Sequence, residues 1–346
     1  LNLFDSRNTI SNLLKKRKFK NLILSHLVSI NHISSNNDFY FGELAHKLGK
    51  DDTLIVLINH INLDKKTLKK KLNGNYIVLS KSLNFFLEIA LYIKTTLVLF
   101  KKNFNIHKVK TFKITSIFFS VLNQRISIQT SKIVKDYDIQ NVYFTYEGQP
   151  FEKLLCKELN FLKHVKSFGY QFSILRKFNY SIFLDLDKNY FPTKIFTINK
   201  FNKKILNQKL KYKVQIENIG FLRKHKFLKF KKKKNKKKKD IKILVIPEGI
   251  LDEIKILFEY CNNNYNKNIK FTFRLHPIFE NNKIVRNLIN SKNIILSRNS
   301  IKHDLLNNEY VLYRGSSLII NAINNGLKPI YLHLSNEISI DPLFDF

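Results

Sequence analysis

The chain has 346 residues, which is enough for about two domains that each bury a core, and 44% of them are hydrophobic, which excludes wholesale disorder. Lys and Arg number 61 against 26 Asp and Glu, giving a net charge of +35 that favours phosphorylated ligands, nucleic acid or anionic membranes as partners. The abundance of Lys, Asn, Ile and Phe would also follow from AT-rich coding, so charge alone discriminates weakly. Cys156 and Cys261 lack partner spacing, which excludes a disulfide scaffold and indicates a reducing, cytoplasmic compartment.

Apolar runs of strand length alternate with amphipathic helical runs through the first two thirds of the chain. The predicted strands lie at 22–30, 53–58 and 141–145, and the predicted helices at 41–48, 83–100, 116–134 and 151–159. The third helix is predicted to carry Arg125 and Lys132 on its solvent face, and Pro150 suits the start of the fourth helix. This order predicts a parallel sheet covered by helices.

A lysine run divides the chain. Like charges keep such a segment solvated, so we predict a lysine-rich linker or loop at 224–239, between a first domain at 1–223 and a second domain at 240–346. The second domain repeats the pattern, with predicted strands at 241–246, 269–275, 293–296, 310–313 and 329–332. The predicted fold class is therefore α/β, with two Rossmann-like domains facing each other across a cleft. The final residues have the character of a folded segment, which indicates C-terminal truncation.

Arg274 and His276 close the second strand of the second domain. In open parallel sheets ligands bind beyond the carboxyl ends of the strands, and a guanidinium and a ring N–H are both donors for phosphate oxygens. The alternative is structural: His276 caps the strand, and Arg274 pairs with a core carboxylate.

Two further segments of this domain follow predicted strands. Gly315, Ser316 and Ser317 precede a predicted helix, where free N–H groups, the helix dipole and two hydroxyls favour an anion. Glu248 and Gly249 follow the first strand, and the glycine permits a tight turn at which backbone approaches a ligand. An ordinary Ser cap and a plain strand-to-helix turn are the alternatives. We predict that the strand ends carrying His276 and Ser316 converge on one phosphate.

In the first domain Glu147 lies on the turn 146–150, after a buried strand. A carboxylate desolvated in a cleft can have a raised pKa and act as general base toward a hydroxyl. The alternative is that Glu147 caps the helix that begins near residue 151.

Other polar residues are interpreted as structural. Asp185 and Asp187 have the spacing of a metal-bridging pair, but no third acidic group lies nearby, so a solvated turn is favoured and no metal is predicted. Four histidines show no ligand spacing and are interpreted as loop or surface residues: His26, His32, His46 and His60.

The order of these motifs resembles that of a poorly characterised family of bacterial surface-carbohydrate (O-antigen and capsule) biosynthesis proteins, glycosyltransferases of the two-Rossmann-domain GT-B type. The resemblance spans most of the chain and rests on the segments 38–44, 146–153, 169–171, 247–249, 274–277 and 314–317. The His-Pro and Ser-Ser pair is distantly similar to that of transferases that use CMP-sialic acid or CDP-glycerol. One departure is Phe172, where relatives often have His before Ser.

The resemblance implies a metal-independent glycosyltransferase without a cofactor, which moves a sugar from a nucleotide-activated donor, CMP- or CDP-linked, to a surface polysaccharide or its lipid-linked precursor. It implies that Glu147 is the catalytic base. The implied donor-binding residues are His276, Arg274, Gly315, Ser316, Ser317, Glu248 and Gly249, and the implied acceptor-side residues are Gly148, Gln149, Tyr170 and Gln171. Exposed lysines would favour peripheral association with the anionic inner face of the cell membrane.

Two other function classes remain open. A basic nucleic-acid-binding protein would use the charge and the 13% aromatic residues, but no helix-turn-helix, RNP-like or zinc-finger pattern is present. A nucleotide-sugar epimerase with the same fold would need two acid–base groups around one sugar instead of an acceptor site.

Overall fold

The computed structural model describes residues 10–11, 18–28, 38–61, 66, 70, 75–102, 114–175, 180–212, 214–222, 240–279, 282–288 and 294–343. The chain divides into two compact units, the first formed by Leu1–Ser173 and Asn179–Lys224 and the second by Ile174–Phe178 and His225–Phe346. The predicted lysine-rich linker at 224–239 lies outside the described residues, so the predicted domain boundary stays a prediction.

The first unit is built on a sheet of parallel strands. Its strands are β1 (Ile10–Ser11), β2 (Asn21–Leu27), β3 (Thr53–Asn59), β4 (Tyr76–Val78), β5 (Asn141–Thr145), β6 (Lys166–Gln171), β7 (Lys194–Thr197) and β8 (Gln215–Asn218). Within the described residues they form one sheet in the order β1-β4-β3-β2-β5-β6-β7-β8. Neighbouring strands are parallel, except that β1 runs antiparallel to β4.

Helices cover this sheet. They are α1 (Leu44–Lys47), α2 (Phe85–Lys102), α3 (Ile114–Asp136), α4 (Pro150–Asn160) and α5 (Lys200–Lys209), with 3₁₀ turns at Ser181–Phe183 and Lys188–Tyr190. Both faces of β2 and β3 are buried, because these strands are continuous apolar runs in the middle of the sheet. The chain passes from β2 through β3 to β4 on one side and then places β5 on the other side of β2. The strand order therefore reverses between β2 and β5.

The second unit repeats the architecture with the strands β9 (Ile241–Ile246), β10 (Ile269–Phe273), β11 (Ile294–Leu296), β12 (Tyr310–Tyr313) and β13 (Lys328–Tyr331). They form a parallel sheet in the order β11-β10-β9-β12-β13, so the strand order reverses between β9 and β12. The helices are α6 (Leu251–Asn263), α7 (Lys283–Leu288), α8 (Ile301–Asn307) and α9 (Leu318–Asn324), with a 3₁₀ turn at Pro277–Phe279. Apolar clusters pack on both faces of the sheet, one around Phe271 and Phe273 and the other around Leu244 and Val311. The predicted fold class, α/β with two Rossmann-like domains, is confirmed.

One prediction about α3 is wrong. Arg125 does not lie on a solvent face: it is 6% exposed, and its guanidinium pairs with the carboxylate of Glu88 on α2. Lys132 is half-buried and pairs with Asp136 one turn later. The helical pattern alone cannot show that a second helix covers α3 on this side. Among the helices that the structure describes, none is both long and apolar enough to span a bilayer.

Candidate functional site

The predicted convergence of strand ends in the second unit is present in the structure. Strands β10 and β12 flank β9, so the turns that follow these three strands lie side by side. A Cβ atom built on Gly249 would lie 3.0 Å from Nδ1 of His276, and one built on Gly315 would lie 2.5 Å from both carboxylate oxygens of Glu248. The residues Glu248, Gly249, His276 and Gly315 therefore form one cluster at the reversal of strand order, where open α/β sheets bind ligands.

His276 is exposed at the end of this cluster. The backbone N–H of Ile278 donates to its Nδ1 atom at 3.4 Å. This bond requires a lone pair on Nδ1, so the neutral ring carries its proton on Nε2. Nε2 is then a hydrogen-bond donor, as contact with a phosphate oxygen requires.

Glu248 gives the cluster a negative charge. Its carboxylate rests on the backbone of Gly315, and a side chain at position 315 would occupy the same space. A carboxylate repels phosphate but accepts hydrogen bonds from hydroxyl groups. The cluster therefore offers two kinds of contact, a ring N–H donor at His276 and a carboxylate acceptor at Glu248.

The two arginines of the predicted motifs, Arg274 and Arg314, form ion pairs within the second unit. Nη1 of Arg274 donates to Oδ2 of Asp304 and to the carbonyl of Asn299, both at 2.8 Å, and the Asp304 side chain is 1% exposed. The structure thus shows the alternative interpretation of Arg274, a pairing with a core carboxylate. A direct donor contact by this side chain stays a prediction.

Arg314 is fully buried at the reversal point. Its Nε donates to Glu253 on α6 at 2.7 Å, its Nη1 donates to the carbonyl of Leu332 at 2.9 Å, and its Nη2 pairs with Glu337. One side chain therefore ties the end of β12 to a helix and to the loop after β13. This clamp fixes the backbone that presents Gly315.

Ser316 and Ser317 lead into the short helix α9. Ser317 is the N-cap residue, but its backbone is already helical (φ −66°, ψ −12°) and its side chain makes no capping hydrogen bond. The hydroxyl of Ser317 therefore does not act as an ordinary helix cap. Both residues lie directly after Gly315, so their hydroxyls remain candidates for ligand contact.

In the first unit the capping role belongs to Glu152 and not to Glu147. Oε2 of Glu152 accepts the backbone N–H groups of Glu147 and Gln149, both at 2.8 Å, and Gln149 completes the capping box. Glu147 is half-buried, and its carbonyl accepts a hydrogen bond from the Ser181 hydroxyl at 3.0 Å. Gly148 has φ +81° and packs on the backbone of residues 181–182. These contacts fix the loop that carries Glu147.

Glu152 is a candidate that the sequence analysis missed. Its residue is 1% exposed, and burial raises the pKa of its carboxyl to about 8, against the opposing effect of the N–H groups of Glu147, Gln149 and Gly148. The folded protein therefore keeps this carboxyl protonated at neutral pH. Glu152 is thus a protonated carboxyl group in direct contact with the backbone of the loop that carries Glu147.

His26 was predicted to be a loop or surface residue, and this is wrong. It lies on β2, where Nδ1 is 2.9 Å from Nε2 of His60 and Nε2 is 3.0 Å from Oγ1 of Thr145 at the end of β5. Burial, and then the charge of His60, lower the pKa of His26 to about 4, so its ring is neutral at pH 7. Oγ1 of Thr145 lies 3.5 Å from Oε1 of Glu152.

These four side chains form a polar chain from surface to core at the reversal of strand order in the first unit. Its members are His60, His26, Thr145 and Glu152. The position of His26 inside the first predicted strand, at 22–30, is the signal that could have found it. His46 and His60 are exposed, as predicted, and His32 lies outside the described residues.

The predicted acceptor-side residues of β6 are buried. Gln171 donates to the Ser173 carbonyl at 2.5 Å and accepts from Asn202, and the Tyr170 hydroxyl accepts from the N–H of Leu222 at 3.0 Å. Direct contact with an acceptor would require these bonds to be exchanged. The acceptor role of both residues stays a prediction.

The predicted turn around Asp185 and Asp187 is structural. Asp185 pairs with Lys211, and Asp187 accepts the N–H of Asn189 at 2.9 Å. In the ranges that the structure describes, no group of three or more His, Cys, Asp or Glu side chains is arranged to hold a metal ion.

Comparisons with known proteins give the class of fold. No protein-family model and no curated protein sequence matches the chain. A Staphylococcus aureus MnaA–UDP co-structure aligns with a TM-score of 0.52 at 10% identity, covering 91% of this chain and 79% of that one. Methanocaldococcus jannaschii UDP-GlcNAc 2-epimerase in complex with UDP-GlcNAc and UDP aligns with 0.50 at 13% identity, covering 91% and 84%.

A glycosyltransferase from Rickettsia africae ESF-5 aligns with a TM-score of 0.46 at 12% identity, covering 91% of this chain and 79% of that one. Because this TM-score is below 0.5, the fold class does not rest on this alignment. At identities of 10 and 13% the two better alignments show a shared fold and no shared activity. The chain shares with these two proteins an α/β fold of two Rossmann-like domains.

Proposed function

We propose that the chain is a nucleotide-sugar enzyme whose second unit binds the nucleotide portion of the substrate. The observation that carries this proposal is the cluster of Glu248, Gly249, His276 and Gly315 at the reversal of strand order. An N–H donor and a carboxylate acceptor in one place suit a ligand that has both phosphate and hydroxyl groups.

In this proposal His276 donates from Nε2 to a phosphate oxygen, and the hydroxyls of Ser316 and Ser317 contact the same phosphate. Glu248 accepts hydrogen bonds from ribose or sugar hydroxyls. Repulsion between its carboxylate and the phosphate fixes which end of the ligand lies against Gly315. Arg274 and Arg314 hold the loops around the ligand.

We propose glycosyl transfer as the reaction, as the family resemblance implies. Glu147 takes the proton of an acceptor hydroxyl while that oxygen bonds to the anomeric carbon. The bond from this carbon to the phosphate oxygen breaks, and the nucleotide leaves with the electron pair. His276 stabilises the charge that develops on the leaving phosphate.

The proposed acceptor is a saccharide, free or lipid-linked, of O-antigen or capsule assembly, and the proposed location is cytoplasmic, at the inner face of the cell membrane. The resemblance favours a CMP- or CDP-linked donor. The two similarly folded proteins are described with UDP, so a UDP-linked donor is the competing choice.

Epimerisation of a nucleotide sugar is a second candidate, favoured by one observation. An epimerase removes a proton from one face of a sugar carbon and returns a proton to the other face, which needs two acid–base groups. Glu152 is protonated, and therefore uncharged, at neutral pH. Its Oε2 atom accepts the backbone N–H of Glu147, so the two residues are neighbours. Two neighbouring carboxyl groups, of which Glu152 holds a proton at neutral pH, suit such a reaction.

The test is a reaction of nucleotide sugars with the parent chain, with Glu147→Gln and with Glu158→Gln, an exposed glutamate on α4 as control. Transfer releases free nucleotide only when an acceptor is present, and epimerisation yields a new nucleotide sugar without release. We expect Glu147→Gln to abolish turnover at nearly unchanged nucleotide affinity and Glu158→Gln to behave as parent. Unchanged turnover in Glu147→Gln would remove Glu147 from the mechanism.

A further inference from the structure

The outward face of α2 is apolar. Four side chains at helical spacing point away from the protein on this helix, with exposures of 79% for Phe86, 43% for Ile89, 55% for Ile93 and 56% for Leu97. We call these four residues the α2 apolar face. Their spacing of three or four positions places them on one stripe about three turns long.

The opposite side of α2 packs against α3, through the Glu88–Arg125 ion pair and through apolar residues. Leu91 is buried there and packs with Val121 of α3 in a small core cluster. A helix on the surface of a soluble protein normally presents polar residues to water, and this helix presents apolar ones. The α2 apolar face therefore indicates a binding surface.

The exposed apolar residues continue beyond this stripe. Phe85 and Val98, on the same helix, are 72% and 47% exposed, and Phe118 and Phe119 near the start of the neighbouring α3 are 52% and 60% exposed. Aromatic side chains at this density favour the boundary between lipid headgroups and acyl chains.

The sequence that contains this helix pair is basic. The sequence from 89 to 135 contains nine Lys and Arg residues and no Asp or Glu. Glu88, the acidic residue of α2, is neutralised by Arg125 on the inner side of the helix, and Lys94 is exposed beside Ile93. An incoming anionic surface thus meets attraction on the approach and apolar side chains on contact.

We infer that the α2 apolar face binds the surface of an anionic phospholipid bilayer, with α2 lying in the plane of the headgroups. A second copy of the chain is the competing occupant. Two copies with a net charge of +35 each would bring their lysines together and repel, whereas anionic headgroups attract the same lysines. This inference rests on the membrane location in the proposed function and names the surface that would bind there; it is independent of nucleotide binding.

The test is flotation of the full chain with vesicles of phosphatidylcholine alone and with 30% phosphatidylglycerol, the latter at low and high salt. The variant is Phe86→Asn with Ile93→Asn and Leu97→Asn. The matched control is Phe161→Asn, because Phe161 is a similarly exposed phenylalanine of the same unit, at 70%. A further variant, Lys94→Glu, tests the charge.

We expect the parent and Phe161→Asn to float with anionic vesicles and to be released by salt. The triple variant should lose at least about a hundredfold in partitioning, since each deep apolar side chain contributes roughly tenfold. Lys94→Glu should lose about tenfold on anionic vesicles. Thermal shifts with nucleotide should be the same in all variants, so a failure here stays separate from a failure of the proposed function.

Three results would overturn the inference. The first is equal flotation of the parent and the triple variant. The second is a parent dimer, seen by light scattering, that the triple variant loses while neither binds vesicles; the face would then join two copies. The third is absence of flotation together with a large loss of thermal stability in the triple variant, which would mean that the chain itself covers the face.

Discussion

The carboxylate of Glu248 lies against the backbone of Gly315, in the space that a Cβ atom at position 315 would fill. Glu248 follows β9 and Gly315 follows β12, so this contact closes the gap between the two strands at which the order of the sheet reverses. Glycine is required here by close approach and not by an unusual φ. The relationship joins two motifs that are 67 positions apart in the sequence.

Gly315→Ala tests this contact. The methyl group would lie 2.5 Å from both carboxylate oxygens, so Glu248 must move, which a flexible side chain does at little cost to the fold. We expect nucleotide affinity to fall at least about tenfold, measured by calorimetry, with little change in melting temperature. In a Glu248→Ala background the same substitution should have no further effect.

Gly326→Ala is the control for this experiment, because nothing lies within 4 Å of its built Cβ and its φ is +78°. It should cost about 1 kcal/mol of stability and leave nucleotide affinity unchanged. Equal affinities for the parent and Gly315→Ala would show that the Glu248–Gly315 contact does not shape the site.

Arg314→Met should be strongly destabilising. It would leave the carboxylates of Glu253 and Glu337 without their buried cation, so the free energy of unfolding should fall by about 3 kcal/mol in urea denaturation. Lys255→Met is the control, since Lys255 makes an exposed pair with Asp252 on the same helix and should change stability by less than about 0.5 kcal/mol. Similar losses for both variants would contradict the clamp.

Glu152→Gln should change how stability depends on pH. The pKa of Glu152 rises from 4.5 to about 8 on folding, so between these values the folded state holds a proton that the unfolded state has lost. This group therefore lowers the free energy of unfolding as pH rises from about 5 to 8. Glutamine can accept the same N–H groups and does not titrate. We expect the stability of the variant, relative to parent, to increase over that range in urea denaturation, and a pH-independent difference would contradict the assignment.

His26→Gln should act in the opposite direction. The pKa of His26 falls from 6.5 to about 4 on folding, so between these values the unfolded state binds a proton that the folded state does not. The group lowers the free energy of unfolding as pH falls from 6.5 toward 4. The variant should lose this part of the acid sensitivity, whereas the exposed His46→Gln should keep it. Identical acid titrations of the two variants would contradict a buried, neutral His26.

The central strands of the fold could be predicted because the pattern of apolar residues in each one is enough to identify it. The strands at 141–145, 241–246 and 310–313 have the predicted bounds, since each is a short, mostly apolar run in a sheet covered on both faces. Strand β6 was missed because it mixes polar residues with Gly169. That glycine is required by tertiary structure, as a Cβ there would lie 2.8 Å from the side chain of Tyr146.

The candidate site could be predicted only as far as sheet topology determines it. The cluster around His276 follows from the rule that parallel strands end at the same edge. The partners of the arginines do not follow from that rule, because they are distant in the sequence. Asp304 lies 30 positions from Arg274, and Glu253 lies 61 positions from Arg314. His26 was missed for the same reason, since Thr145 is 119 positions away and no local spacing announces the contact.

The most direct test of the account is nucleotide binding by the second unit's cluster. Thermal shifts are measured for the parent, for His276→Ala and for His303→Ala, an exposed histidine on α8, with CMP, CDP, UDP, GDP and their sugar conjugates. A ligand at a hundred times its Kd adds about 2.7 kcal/mol, which is readily measured. We predict a shift with one nucleotide class that is lost in His276→Ala and kept in His303→Ala. A folded parent that no nucleotide stabilises, or a shift that survives in His276→Ala, would contradict the account.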